Sequence, residues 1–156
     1  MLIPAIILTA VFYFLVLIQN SFLVHFSVFG AFANLVLVCV CLVSFLEEKK
    51  SYYGLIPTIA GGIFIDLRFG AIGLSSLLLL IVYLFVKEMP RQLRDVSYEY
   101  NIFYYLILLF ISSIFFGIIS RFSLNIFPLI AGLAFNLIFG VFFFYLFKLF
   151  YGNRKV

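Results

Sequence analysis

Asp66 and Arg68 sit inside an apolar run, GGIFIDLRFGAIG over residues 61–73, and are the residues best placed to do chemistry. Moving an ionised side chain to the centre of a membrane helix costs about 2.5–3.5 kcal/mol even on the lenient insertion scale. Asp66 therefore needs a partner, water or a helix end. Two uses are open to it. In one, it accepts hydrogen bonds from its own neighbourhood, from Arg68, or from Gln19 and Asn34, and so fixes how the first four helices meet. In the other, it lines an outer cavity and contacts a ligand or a partner's transmembrane helix. Catalysis needs more than this: two close acids, a histidine pair on a metal, or a nucleophile beside a base. The chain has one histidine, His25, which falls in a short link and is expected to be exposed or hydrogen-bonded. Glu47 and Glu48 adjoin Lys49 and Lys50, a run that reads as a solvated turn. Cys39 and Cys41 point to nearly opposite sides of a helix, so they match neither a bridge nor a metal or redox spacing and serve as small apolar residues. No catalytic, cofactor or metal site is expected, and the chain does not read as an enzyme.

The elements that must hold Asp66 are membrane helices. Of 156 residues, 67% are hydrophobic and 10% charged, too few polar side chains to cover a soluble exterior of this size. Mean hydropathy is +1.30. The pattern predicts an all-α bundle of six transmembrane helices over about 2–24, 28–46, 52–67, 71–86, 102–120 and 124–147, a single polytopic domain over 1–156. The N-terminus lacks a basic n-region, so the first helix is expected to be retained. Helix 3 is short and puts Gly54, Thr58, Gly62 and Asp66 at successive i+4 positions on one face, as close helix packing requires. Pro57 is expected to bend it. Helix 5 carries Ser113, Gly117 and Ser120 on one side, and helix 6 aligns Gly132, Asn136 and Gly140, a stripe for internal packing or an exposed dimer face, of which packing is favoured because Asn136 exposed to lipid would be unsatisfied. The segment 87–101 can form a surface amphipathic helix, with Met89, Leu93, Val96 and Tyr100 on one side and Arg91, Arg94, Asp95 and Glu99 elsewhere.

Six spans fix an orientation. Lys and Arg number eight on the side of the termini and two on the other, so both termini belong in the cytoplasm and Asp66 near the outer face. Tyr52, Tyr53, Tyr98, Tyr100, Tyr104, Tyr105, Tyr145 and Tyr151 cluster at the same ends, as interfacial rings would. The net charge of +4 is too dispersed for nucleic acid. No internal repeat of the transporter kind is visible.

Leu17-Ile18-Gln19 ends helix 1, a short polar segment leads into helix 2, and Gly62-x-x-x-Asp66 is followed by Gly70 and Gly73. In these residues the chain resembles MreD, the small polytopic subunit of the bacterial rod-shape machinery. Where that family often has Pro-Asp-Leu at the start of helix 2, this chain has Ala33-Asn34-Leu35, which keeps a polar side chain and loses the charge. The resemblance implies a non-enzymatic subunit in the cytoplasmic membrane that works with an MreC-like protein, and through it with MreB, RodA and the elongation transpeptidase, to organise wall synthesis. It also implies a bundle similar to the substrate-binding subunits of energy-coupling-factor transporters.

On this reading the Gly54, Thr58, Gly62 and Asp66 face is a candidate groove for a partner helix. Arg91 and Arg94 either anchor the cytoplasmic segment to anionic headgroups or dock a cytoplasmic partner. The alternative function is a small-molecule capture subunit with an outer pocket near Asp66 and Arg68. It would need convergent polar groups, which the sequence scarcely offers, and an ATP-driven partner, because no nucleotide-binding loop is present.

Overall fold

The computed structural model describes residues 2–47, 51–69, 73–92, 101–121 and 126–151. Among these the chain forms six α-helices: α1 (Leu2–Ser21), α2 (Leu35–Leu46), α3 (Leu55–Phe69), α4 (Leu74–Gln92), α5 (Ile102–Arg121) and α6 (Ile126–Tyr151), with a 3-10 turn at Leu23–Phe26. Three of them, over Ile3–Ser21, Ile102–Ser120 and Ile126–Leu149, are long and apolar enough to cross a membrane. Large apolar side chains such as Ile3, Leu67, Phe103 and Leu149 stand exposed on the outside, which suits a lipid surround.

The shortest helix is the centre. α2 touches all five others, while α1, α3, α4, α5 and α6 follow one another around it. Among the described residues α1 and α6 do not touch, so the ring is open between them. Val36, Leu37, Val38, Val40 and Cys41 are fully buried, which explains why α2 is apolar all round and shows no amphipathic stripe. At about 1.5 Å per residue its 12 residues run about 18 Å, well short of a bilayer core of about 30 Å.

Helix 2 was expected from residue 28, and the structure starts it at Leu35. Val28 and Ala31 exchange backbone hydrogen bonds of 2.9 Å around Phe29 and Gly30, both with positive φ, so the chain turns tightly here. Asn34 then caps α2, its Oδ1 accepting from the N–H of Leu37 at 3.1 Å. It is therefore the start of the helix and not a residue two turns inside it.

Two further expectations change. Pro57 lies in the first turn of α3, where its missing N–H has no intrahelical partner to lose, so it opens the helix at no cost in hydrogen bonds. α4 continues to Gln92, past the expected end at 86 and into the segment read as a separate amphipathic helix. Residues 93–100 of that segment, Arg94 among them, lie outside the described residues.

Tyr105, expected among the interfacial rings, is fully buried. Its ring stacks on Phe144 at 5.5 Å and its hydroxyl donates to the carbonyl of Val38 at 3.4 Å. An aromatic of this size fills the gap left by Gly140, where an added Cβ would overlap Leu109 and lie against the Tyr105 ring. The Gly132, Asn136 and Gly140 stripe thus faces inward, as expected of internal packing.

Candidate functional site

Asp66 is buried near the C-terminal end of α3, and its carboxylate is turned on the start of α4. It accepts from the N–H groups of Gly73 at 2.9 Å, Ser75 at 3.0 Å and Ser76 at 3.4 Å. The first four N–H groups of a helix have no partner within it, and a carboxylate placed there also meets the positive end of the helix dipole. Asp66 therefore caps α4 from the preceding helix. Gly73, at φ +95°, supplies the left-handed turn that brings its own N–H to the carboxylate.

The same joint explains Gly62. A Cβ there would overlap the backbone of Ser76, so only glycine lets α3 and α4 approach this closely. Ser76 ties the two helices again, its hydroxyl donating to the carbonyl of Ile59 at 3.3 Å. Gly54, Thr58, Gly62 and Asp66 are all buried. The partner-helix groove expected on this face is filled by the chain's own α4, which corrects that expectation.

A second polar joint forms at the buried start of α2. Gln19 Oε1, from α1, accepts from the N–H of Leu35 at 3.0 Å, and Asn136 Oδ1, from α6, accepts from the N–H of Asn34 at 2.7 Å. Asn136 Nδ2 in turn donates to Ser113 Oγ on α5 at 3.2 Å. Two helices thus supply side chains to one N-terminus, and a third holds one of those side chains in place, because buried backbone donors must be paired. Gln19 and Asn34, expected as possible partners of Asp66, bond this joint instead. The side chains of Arg68 and Arg91 lie outside the described residues, so neither the Asp66–Arg68 pairing nor the docking role of Arg91 enters the structure.

Between the two joints lies a cavity of about 350 Å³, lined by Gln19, Asn34, Asp66, Ser75, Ser113, Ser120 and Asn136 and by apolar walls that include Ile65, Phe116 and Leu133. The expectation that few polar groups converge is corrected here. Sequence spacing linked Ser113, Gly117 and Ser120 along α5. It could not show that their side faces Gln19 and Asp66, because that depends on how helices distant in sequence pack.

At the opposite end of α3 the structure overturns the reading of Glu47 as solvated. Glu47 is buried, and its Oε2 accepts from Lys87 Nζ at 2.8 Å and from the hydroxyl of Tyr83, while Oε1 accepts from the N–H of Gly54 at 3.1 Å. Lys87, also buried, donates to the carbonyl of Ser51 and lies 3.9 Å from the centre of the Tyr52 ring. A signal was present in the sequence: Leu79, Tyr83 and Lys87 repeat at i+4, so Lys87 belongs to the inward face of α4 and not to the following loop.

His25 is exposed in the 3-10 turn, and both cysteines are free. Among the described residues no three histidine, cysteine, aspartate or glutamate side chains come together as metal ligands would. Compared with known proteins, the chain matches no family model, no curated protein and no solved structure.

Proposed function

We propose that the chain is a six-span, non-enzymatic subunit of a bacterial wall-elongation complex, resembling MreD, with both termini in the cytoplasm. Its partners would be an MreC-like protein and, through it, MreB, RodA and the elongation transpeptidase. The observation that carries the reading is the Gly62 and Asp66 joint. The residues on which the resemblance rests serve here to hold α3 against the first turn of α4. Side chains spent on backbone geometry suit a framework piece whose mechanism is conformational. The start of helix 2 supports it too: Asn34 is a helix cap, and aspartate, the residue of the resembled family, caps equally well.

In this reading α2 and α3, short by themselves, cross the membrane together with the segments that lead into them. The cavity favours a second reading, the capture subunit of an energy-coupling-factor type transporter. A mild-detergent pull-down on the C-terminal tail separates the two. Recovery of a single-span coiled-coil protein of the MreC kind, with or without the synthase pair, supports the scaffold. Recovery of an ATPase with a coupling membrane subunit sinks it.

A further inference from the structure

The cavity between the two joints has features that packing does not require. Gly117 and Gly132 line it, and unlike Gly62 they have room: an added Cβ would sit 3.6 Å from Leu129 at the first and 3.8 Å from Ala31 at the second. Glycine inside a helix costs about 1 kcal/mol relative to alanine. At these two positions no close approach of helices compels it, and what it preserves is open space. Gln19 and Ser75, 5% and 8% exposed, also line the cavity, and among the described residues Gln19 Nε2 and Ser75 Oγ make no hydrogen bond. Both residues are buried overall, and the polar atoms that the protein leaves unpaired open onto the cavity, where a ligand or ordered water would satisfy them.

The charge balance narrows the ligand. The described lining holds no cationic side chain, and its one carboxylate, Asp66, is engaged by three backbone N–H groups. The starts of α2, α4 and α6 and the ends of α1, α3 and α5 border the space, so the helix dipoles oppose one another. Among the described residues an anion finds no counter-charge here. The free amide donates and the free hydroxyl both donates and accepts, which matches a group that does both. The volume lies at the small end of ligand pockets, about 300–1,000 Å³.

We propose that this cavity is a binding site for an uncharged, hydroxyl-bearing small molecule or lipid head group. The site does not rest on the wall-elongation reading, and its test leaves partner recovery untouched. The experiment uses the full chain in phosphatidylcholine nanodiscs, titrated with methyl glucoside and dioctanoylglycerol and with their anionic counterparts, glucose 6-phosphate and dioctanoyl phosphatidic acid. Binding is read by thermal midpoint and by native mass spectrometry. At least one neutral probe binds one to one, and its phosphorylated counterpart binds at least about tenfold more weakly. Gly117→Leu, which fills the space, and Ser75→Ala, which keeps the backbone bond to Asp66, each weaken binding at least about tenfold, with the midpoint of the unliganded protein unchanged or raised. Binding of dioctanoylglycerol alone identifies a lipid head group as the source, and binding of methyl glucoside alone identifies a free solute. Tighter binding of the anions overturns the assignment. So does binding indifferent to Gly117→Leu, or no binding of either neutral probe to protein that carries no retained mass, which would leave the cavity to water.

Discussion

Glu47 and Asp66 are buried carboxylates at the two ends of α3, and they are neutralised in opposite ways. Glu47 meets a cation, a phenol and a backbone N–H, and the surrounding side chains close over it. Asp66 is held by backbone N–H groups alone among the described residues, and beside it the bundle stays open as a cavity. Sealing an ion pair away from water stabilises little net, since desolvation offsets the attraction, but removing one partner strands the other. A carboxylate that spends itself on a helix start leaves neighbouring side chains free. The Glu47 end is a lock, and the Asp66 end is a frame around a space.

That contrast predicts its largest effect at the lock. Glu47→Leu leaves Lys87 buried without its counter-charge and is expected to cost about 3–5 kcal/mol of stability, measured by equilibrium unfolding in detergent micelles. Adding Lys87→Met to the same chain should recover most of the loss, because a well-packed apolar pair of similar volume replaces the ion pair at little cost. If the double variant is as unstable as the single one, the cluster is held by Tyr83 and Gly54 more than by the ion pair, and the comparison between the ends fails.

The frame should break next, and for steric reasons. Gly62→Ala forces α3 from the backbone of Ser76 and is expected to cost about 1–3 kcal/mol, the range for overpacking. Gly117→Ala, on the cavity wall, should be neutral or stabilising by up to about 1 kcal/mol on the same assay, since helix propensity gains and nothing is displaced. Equal losses at the two glycines would mean that the cavity is closed in solution.

How much of this could be read in the sequence differs between the two ends. Six helices, a packed Gly54, Thr58, Gly62 and Asp66 face and an inward Asn136 stripe follow from spacing along single helices, because apolar and small residues repeat with the helical period. Asp66 was legible as a residue that needs partners, though the partners themselves were not. They are backbone N–H groups seven to ten residues ahead, and no side-chain type announces them. The burial of Glu47 runs against its sequence context, because charge runs next to apolar segments usually mark water. Its burial depends on Lys87, 40 residues away, lying on the same side of the bundle. The cavity was invisible for a similar reason, since its walls come from five helices and from the turn that leads into α2.

The smallest predicted effect tests whether the frame depends on charge at all. Asn34→Ala removes the side chain that accepts from Leu37 and is expected to cost about 1 kcal/mol, the usual value of a helix cap. Asn34→Asp keeps an acceptor in the same place, at the positive end of α2, and should lie within about 0.5 kcal/mol of the parent chain. Its backbone N–H still donates to Asn136, so the second joint survives both changes. Asparagine and aspartate would then be interchangeable at this position, and the acid of the resembled family would be a cap there before it is anything else. A loss near 3 kcal/mol for Asn34→Asp would instead show that the cavity rejects a second carboxylate beside Asp66, a repulsion that an open, water-filled space would have screened.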